Sequence, residues 1–225
     1  MLSYDLVIIG FGVIGTEALH ALYKLNYKKA KKLKIAIIDR DVKNIPGGVA
    51  YSTDKSMYGF FNNPLRLSHQ NFIKWVKKPI NFNKCCNFFE NNKSYDLNNW
   101  VIQNKGLISN KKFLEIYFPR FFYSIYLKDK IFEIIDNKKS NLQIDLLIGS
   151  ADKLIENKTT IIKSNSFFHK YSLIKKNNEL NFLKKNLRLK EIITKKIILG
   201  LGLLPPKIIK TNFKINTNYI WDFYA

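Results

Sequence analysis

The stretch YDLVIIGFGVIG, residues 4–15, decides the fold of this chain. Residues 4–9 form an apolar run that predicts a strand buried on both faces of a parallel sheet. The G-x-G-x-x-G spacing that follows gives each glycine a task. Gly10 permits a tight turn, Gly12 lets a pyrophosphate approach the backbone, and Gly15 lets a helix pack closely on the strand. The predicted phosphate-binding turn, on the free amides of a helix N-terminus, consists of Gly10, Phe11, Gly12, Val13, Ile14 and Gly15.

Two further elements complete a βαβ unit. Apolar residues at helical spacing predict an amphipathic helix that ends at Asn26, and residues 33–38 predict a second buried strand. That strand closes with Asp39, near the position of the acid that hydrogen-bonds an adenosine ribose. A carboxylate there would repel a 2′-phosphate, so NADP is disfavoured even though Arg40 follows. FAD and NAD both fit this unit.

Later motifs carry a resemblance to a known family. They are Gly48-Val49-Ala50-Tyr51, Asn62-Asn63-Pro64, Phe72 with Trp75, and Pro119-Arg120 followed by Tyr126-Leu127. Together with the glycine turn, this pattern resembles the FAD/NAD(P)-binding flavoproteins and, more distantly, the flavin-dependent N-hydroxylating monooxygenases. The resemblance runs from about residue 4 to about residue 206. It implies an α/β fold of the FAD-type Rossmann kind, a three-layer ββα arrangement with a parallel sheet and an inserted β-meander.

The resemblance also implies roles for individual residues. The glycines of the turn would hold the phosphates of the ADP half of FAD, and Asp39 would hold its ribose. Gly48, Tyr51 and Asn62 would lie towards the flavin, although a packed aromatic and a turn-capping amide are equally good roles for the last two. FAD is therefore the expected cofactor, ahead of NAD.

A departure from the family pattern occurs near residue 200. The family usually has Ala-Thr-Gly here, and only Gly202 matches it. Gly200 and Leu201 replace the first two residues, so a hydroxyl at position 201 is lost. This departure raises the question of whether the site is fully functional.

The remaining chain gives weaker signals. Residues 81–112 are rich in Asn and Lys and predict a variable insertion or surface loop. Pro119 predicts the start of a helix that runs to about residue 136. Arg120 at its start could reach a phosphate or pair with a carboxylate, and the structural role is favoured. Several short strands are expected over 142–196, the β-meander region of a domain spanning residues 1–210. Residues 211–225 would begin a missing or truncated C-terminal region.

Composition narrows the class of protein. The chain has 225 residues, of which 46% are hydrophobic and 24% charged, so it is long enough for a real core. Its net charge of +21 comes mainly from lysine, and the abundance of Lys, Asn and Ile points to an AT-biased genome rather than to a nucleic-acid surface. The adjacent Cys85 and Cys86 fit neither a disulfide framework nor a zinc site. With no signal peptide or membrane span in the sequence, we expect a cytoplasmic protein that is not membrane-bound.

Two main hypotheses about function remain. The first is the FAD-binding domain of an oxidoreductase, acting on a small-molecule substrate that the sequence does not identify, with NAD(P)H and a C-terminal partner chain or domain as candidate partners. The second is a noncatalytic dinucleotide-binding or interaction module. Nucleic-acid binding is a third hypothesis with composition alone behind it. No residue is assigned a catalytic role and no metal ligands are predicted.

Overall fold

The computed structural model describes residues 1–26, 32–43, 45–51, 59–92, 95–110, 112–137, 140–156 and 158–202. The C-terminal region expected over 211–225 lies outside the described residues. The strands are β1 (Leu2–Tyr4), β2 (Leu6–Ile9), β3 (Leu33–Asp39), β4 (Leu142–Ile148), β5 (Lys153–Glu156), β6 (Thr160–Lys176), β7 (Glu179–Thr194) and β8 (Ile197–Leu199). The helices are α1 (Val13–Asn26), α2 (Gln70–Val76), α3 (Pro79–Asn92), α4 (Tyr95–Ser109) and α5 (Phe121–Asp136).

Four parallel strands form one end of the sheet in the order β4-β3-β2-β8, and β6 continues the sheet beyond β4. The predicted helix to Asn26, the strand after it and the helix over 121–136 are all confirmed. The prediction of one strand over residues 4–9 is wrong, because the chain divides at Asp5 into β1 and β2. The Asp5 carboxylate accepts a hydrogen bond from the Lys34 backbone N–H, and β1 leaves the parallel sheet to pair with β7.

The parallel strands lie between a layer of helices and a layer of antiparallel strands, with one core on each face. On one face of the parallel sheet, Ile8 and Ile37 pack against Leu19 of α1 and Ile131 of α5. On the other face, side chains of the central strands pack against those of the antiparallel strands; they include Val7, Ile9, Ala36, Ile38, Ile162, Phe168 and Ile192. The arrangement of helices, parallel sheet and antiparallel strands is that of the predicted Rossmann-like α/β fold.

The antiparallel layer differs from the expected series of short strands. Within 142–196, β4 belongs to the parallel sheet, and β6 and β7 are strands of 17 and 16 residues that form one long hairpin. The β6–β7 register shifts between Lys163 and Phe168 and again between His169 and Tyr171. Such irregularities bend and twist a strand. The hairpin can therefore cover the sheet with one end and lie beside α5 with the other, where Leu173 and Phe182 pack.

Residues 81–112 do not form a surface loop. They lie largely in α3 and α4, and they contribute Phe82, Cys85 and Trp100 to a third core with the first half of α5. The Trp100 indole N–H also donates to the Tyr117 carbonyl, with an N–O distance of 2.8 Å. The many Asn and Lys residues around them led to the prediction of a loop, although the spacing of Phe82 and Cys85 fits a helix. None of the helices in the described residues is both long and apolar enough to cross a membrane.

We predict that Trp100→Ala destabilises the protein by about 3–5 kcal/mol, because it leaves a large cavity in the helical core. The measurement is the free energy of unfolding in urea. Ile102→Ala is the matched control, since Ile102 lies two residues further along α4 with 69% of its surface exposed. A similar loss of stability in both variants would contradict the assignment of α4 to the core.

Candidate functional site

A turn built from three close backbone contacts lies at the carboxyl edge of the parallel sheet. Gly10 has a φ of +95°, which L side chains rarely adopt, and a Cβ there would lie 2.2 Å from the Gly200 carbonyl oxygen. A Cβ on Gly15 would lie 2.0 Å from the Gly10 carbonyl oxygen. The predicted roles of Gly10 in the turn and of Gly15 in close helix packing therefore have a direct steric basis.

A second loop folds onto this glycine turn. A Cβ on Gly12 would lie 3.5 Å from the Gly48 Cα, an ordinary van der Waals distance. The Thr16 hydroxyl donates to the Pro46 carbonyl at 3.3 Å, which ties the loop to the first turns of α1. Gly47 is also required, because a Cβ there would lie 2.4 Å from the Tyr51 carbonyl oxygen. The structure thus brings Gly12 and Gly48 together, although they are 36 positions apart in the chain.

The Asp39 carboxylate lies at the same edge. One of its oxygens accepts the Phe11 backbone N–H at 2.6 Å, and the other accepts the Asp41 N–H at 3.3 Å. A carboxylate has about four acceptor positions, so these bonds fix its orientation while leaving acceptors for a further donor. Arg40 follows it with an exposed side chain. Phe11 is fully buried beneath the turn, so only its backbone faces the candidate site.

A polar and aromatic cluster supports the loop from below. The Tyr51 ring packs against Tyr123 of α5, with 5.2 Å between ring centroids. The Tyr123 hydroxyl donates to a Glu17 carboxylate oxygen at 3.4 Å, and Lys130 forms an ion pair with the other oxygen at 2.5 Å. Burial, and then the Glu17 charge, raises the pKa of the Tyr123 phenol above its usual range. Tyr51 is therefore at least a packed aromatic, the structural role that the sequence left open for it.

Asn62 contacts Arg120 and not the glycine turn. Its side-chain oxygen accepts a hydrogen bond from the Arg120 guanidinium at 2.8 Å, and the same guanidinium donates to the Phe60 carbonyl at 2.8 Å. The Arg120 backbone N–H donates to the Gly59 carbonyl. Arg120 thus has a structural role, because it holds the segment before α2 against the start of α5, and its partners here are a carbonyl and an amide oxygen instead of the predicted carboxylate. The contribution of Asn62 to a cofactor site stays a prediction.

The end of β8 supplies a residue that the sequence analysis did not include in the site. Gly200 donates its N–H to the Ile9 carbonyl at 2.7 Å, and a Cβ on it would lie 3.1 Å from the Gly15 nitrogen. Glycine, the smallest residue, therefore stands at this position, where the backbones of β8 and α1 approach closely. Gly202 has a φ of +64°, and no atom of the described residues lies within 4 Å of its added Cβ.

Apolar side chains flank the same turn. Val13 is half-buried against the helical core, whereas Ile14 is 55% exposed beside Gly200. Leu201, in place of the family's hydroxyl residue, is 44% exposed. Sequence spacing alone did not show that Ile14 and residue 200 are neighbours.

These elements match what a dinucleotide needs. The first turn of α1 leaves backbone N–H groups without intrahelical acceptors, and the helix dipole adds positive potential there. A pyrophosphate is bound by such groups, and a ribose hydroxyl can donate to the Asp39 carboxylate. The residues present therefore fit the ADP part of a dinucleotide.

A separate groove lies elsewhere on the molecule. It has a volume of about 740 Å³, and its wall includes Lys84, Asp129, Asp136 and Lys175. Its lysines are paired with its carboxylates, Lys84 with Asp129 and Lys175 with Asp136. None of the predicted site residues lines this groove. This groove is therefore not assigned to the dinucleotide.

Comparison with known proteins agrees with the geometry. A model of the FAD-NAD(P)-binding family matches residues 7–165, which span the glycine turn, Asp39 and the loop at Gly48. No curated protein matches the chain. The finer resemblance to N-hydroxylating monooxygenases stays a prediction.

We predict that Gly15→Ala lowers the free energy of unfolding by about 3 kcal/mol or more, because the new methyl group would overlap the Gly10 carbonyl. Gly106→Ala is the matched control, since nothing lies within 4 Å of an added Cβ there. Gly106 is inside α4, so the control should gain up to about 1 kcal/mol. Equal stabilities of the two variants in urea unfolding would contradict the close packing of α1.

We predict a loss of stability in alkaline solution that depends on Tyr123. Its pKa is raised in the folded state, while the unfolded phenol ionises near pH 10. The contribution of Tyr123 is therefore complete below about pH 10 and is lost as the pH rises towards the folded-state pKa. Measured in urea between neutral and strongly alkaline pH, unfolding of Tyr123→Phe should show a shallower decline than wild type. Identical declines would refute the prediction.

Proposed function

The chain belongs to the FAD-NAD(P)-binding family, and we propose that it binds FAD as the cofactor of an oxidoreductase. The ADP half of FAD would lie on the glycine turn at the start of α1. The substrate would be a small molecule, and NAD(P)H is the proposed source of electrons.

The convergence of Gly10, Gly12, Gly15, Gly48 and Gly200 at one sheet edge carries this proposal. Two of these glycines, Gly10 and Gly15, are needed for close backbone approach, and the Gly12–Gly48 contact leaves no side chain between the loop and the helix N-terminus. Backbone without side chains beside free helix amides is the environment that a pyrophosphate requires. A turn needed only for folding would not require Gly12, whose added Cβ meets no clash.

The choice among dinucleotides rests on two features. The Asp39 carboxylate, fixed by the Phe11 N–H, would oppose a 2′-phosphate and so disfavours NADP. The loop with Gly48 and Tyr51, which the resemblance to flavoproteins assigns to the flavin side, lies directly against Gly12. This neighbourhood supports FAD over NAD.

Bound FAD would supply the redox chemistry, and the chain would bind and orient it. Gly12 and the first amides of α1 would hold the phosphates, and Asp39 would accept from the ribose. Thr16, through its bond to the Pro46 carbonyl, would keep the loop closed against the turn. The Tyr51–Tyr123 contact would fix the far end of that loop.

A noncatalytic dinucleotide-binding module is the second candidate. Leu201 favours it, because an exposed apolar side chain stands where the family usually has a hydroxyl. The two candidates share the binding step and differ afterwards. Reduction of the bound flavin by NADH or NADPH, followed by reoxidation, would support the oxidoreductase. Tight flavin binding without either reaction would favour the module.

We predict that the purified protein has the absorption spectrum of a bound flavin, or acquires it when FAD is added. Gly12→Asp should weaken FAD binding about a hundredfold or more, because a carboxylate beside the pyrophosphate costs several kcal/mol. The measurement is equilibrium dialysis against FAD, NAD and NADP in turn.

Gly106→Asp is the control, since it makes the same substitution at a glycine with open space around it. Circular dichroism should show both variants folded. A folded wild-type protein that stays colourless and retains no FAD would overturn the proposal. Tighter binding of NAD than of FAD would show that NAD is the cofactor, and the location of the site would stand.

A further inference from the structure

One edge of the sheet has no neighbouring strand. β7 pairs with β6 on one side, and on its other side β1 covers only residues 192–194. Among the described residues, no strand lies beside the outer edge of 179–191. Backbone N–H and C=O groups on such an edge are available to another chain.

The edge carries positive charge that no carboxylate of the described residues neutralises. All side chains over 183–188 are exposed, including those of Lys184, Lys185 and Arg188. No carboxylate of the described residues forms an ion pair with these three cations. The neighbouring strand β6 differs, because three of its four lysines are paired with carboxylates: Lys163 with Glu191, Lys170 with Asp145 and Lys175 with Asp136.

Apolar surface accompanies the charge. Leu183 is 49% exposed and Leu187 is 36% exposed. Nearby on the same strand, Leu180 and Phe182 are partly buried against the core beside α5. A strand added beside 179–184 would therefore extend a sheet that already has an apolar face.

The register of the hairpin separates two parts of the edge. Residues 179–184 pair one to one with β6, whereas three residues of β7, between Lys184 and Arg188, face the single residue between His169 and Tyr171. This excess of residues is a bulge, which turns its side chains away from the regular ladder. The regular part offers backbone pairing, and the bulge presents cations at its end.

We propose that this edge of β7 binds an extended acidic segment of a protein partner as an additional strand. Strand addition takes affinity from main-chain hydrogen bonds and specificity from side chains. The unpaired cations select a partner with carboxylates. The same cations oppose pairing with a second copy of this chain, since lysine and arginine would then face each other.

Nucleic acid is the less suitable occupant. Strands that bind single-stranded nucleic acid combine positive charge with exposed aromatic rings on which bases stack. Residues 183–188 contain leucine, lysine, asparagine and arginine, and no aromatic side chain. The free backbone edge and the leucines suit a polypeptide instead.

The test uses the full chain and a fluorescent peptide of about 12 residues that alternates glutamate with valine, long enough to pair along this edge. We expect saturable binding that weakens with salt. Lys184→Glu combined with Arg188→Glu should weaken binding about tenfold or more. A peptide methylated on alternate backbone nitrogens should bind the wild-type protein at least as weakly as the parent peptide binds the double variant. The methylated nitrogens cannot donate the hydrogen bonds of a strand pair.

Lys77→Glu combined with Lys78→Glu is the matched control, since both residues are exposed at the end of α2 and the charge change is the same. This pair should bind like wild type, and circular dichroism should show all variants folded. The proposal is overturned if both pairs weaken binding equally, or if the methylated peptide binds as well as its parent. It is also overturned if single-stranded DNA binds more tightly than the peptide, or if the edge pairs two copies of the chain in sedimentation.

Discussion

The contact among the backbones of Gly10, Gly15 and Gly200 is the constraint on which the rest of the structure depends. It joins the end of β2, the first turn of α1 and the end of β8 at distances that exclude a Cβ on Gly10 or Gly15. Because α1 approaches the end of β2 this closely, the N-terminus of α1 lies at the carboxyl edge of the sheet. The position of Asp39, at the end of the adjacent strand, follows from the parallel pairing of β2 with β3.

Burial of the parallel strands on both faces creates a second requirement. The helices cover one face, and the bent hairpin of β6 and β7 covers the other. A buried carboxylate links these layers, since Asp145 accepts from the Tyr4 hydroxyl at 3.0 Å and from Lys170 at 2.9 Å. Both donors belong to strands of the covering layer, so the polar contact fixes its position over the sheet.

The βαβ unit could be predicted from sequence because its signals are local: apolar strands, spaced glycines and helical periodicity lie within forty residues. The helices α3 and α4 were missed, because the Asn and Lys residues of 81–112 outweighed a short apolar pattern that includes Phe82, Cys85 and Trp100. The long hairpin was also missed. Register shifts and exposure of both faces over 183–188 remove the alternation by which a half-buried strand is recognised.

The candidate site also has a part that could be predicted from the sequence and a part that could not. The glycine turn and Asp39 follow from spacing, whereas Gly200 and the Gly12–Gly48 contact depend on tertiary approach that spacing does not contain. Net charge is a further case. A composition of +21 does not distinguish lysines that neutralise carboxylates, as on β6, from those without a partner among the described residues, as on β7. Codon bias can set how many lysines the chain has, but the fold determines which of them remain available to a partner.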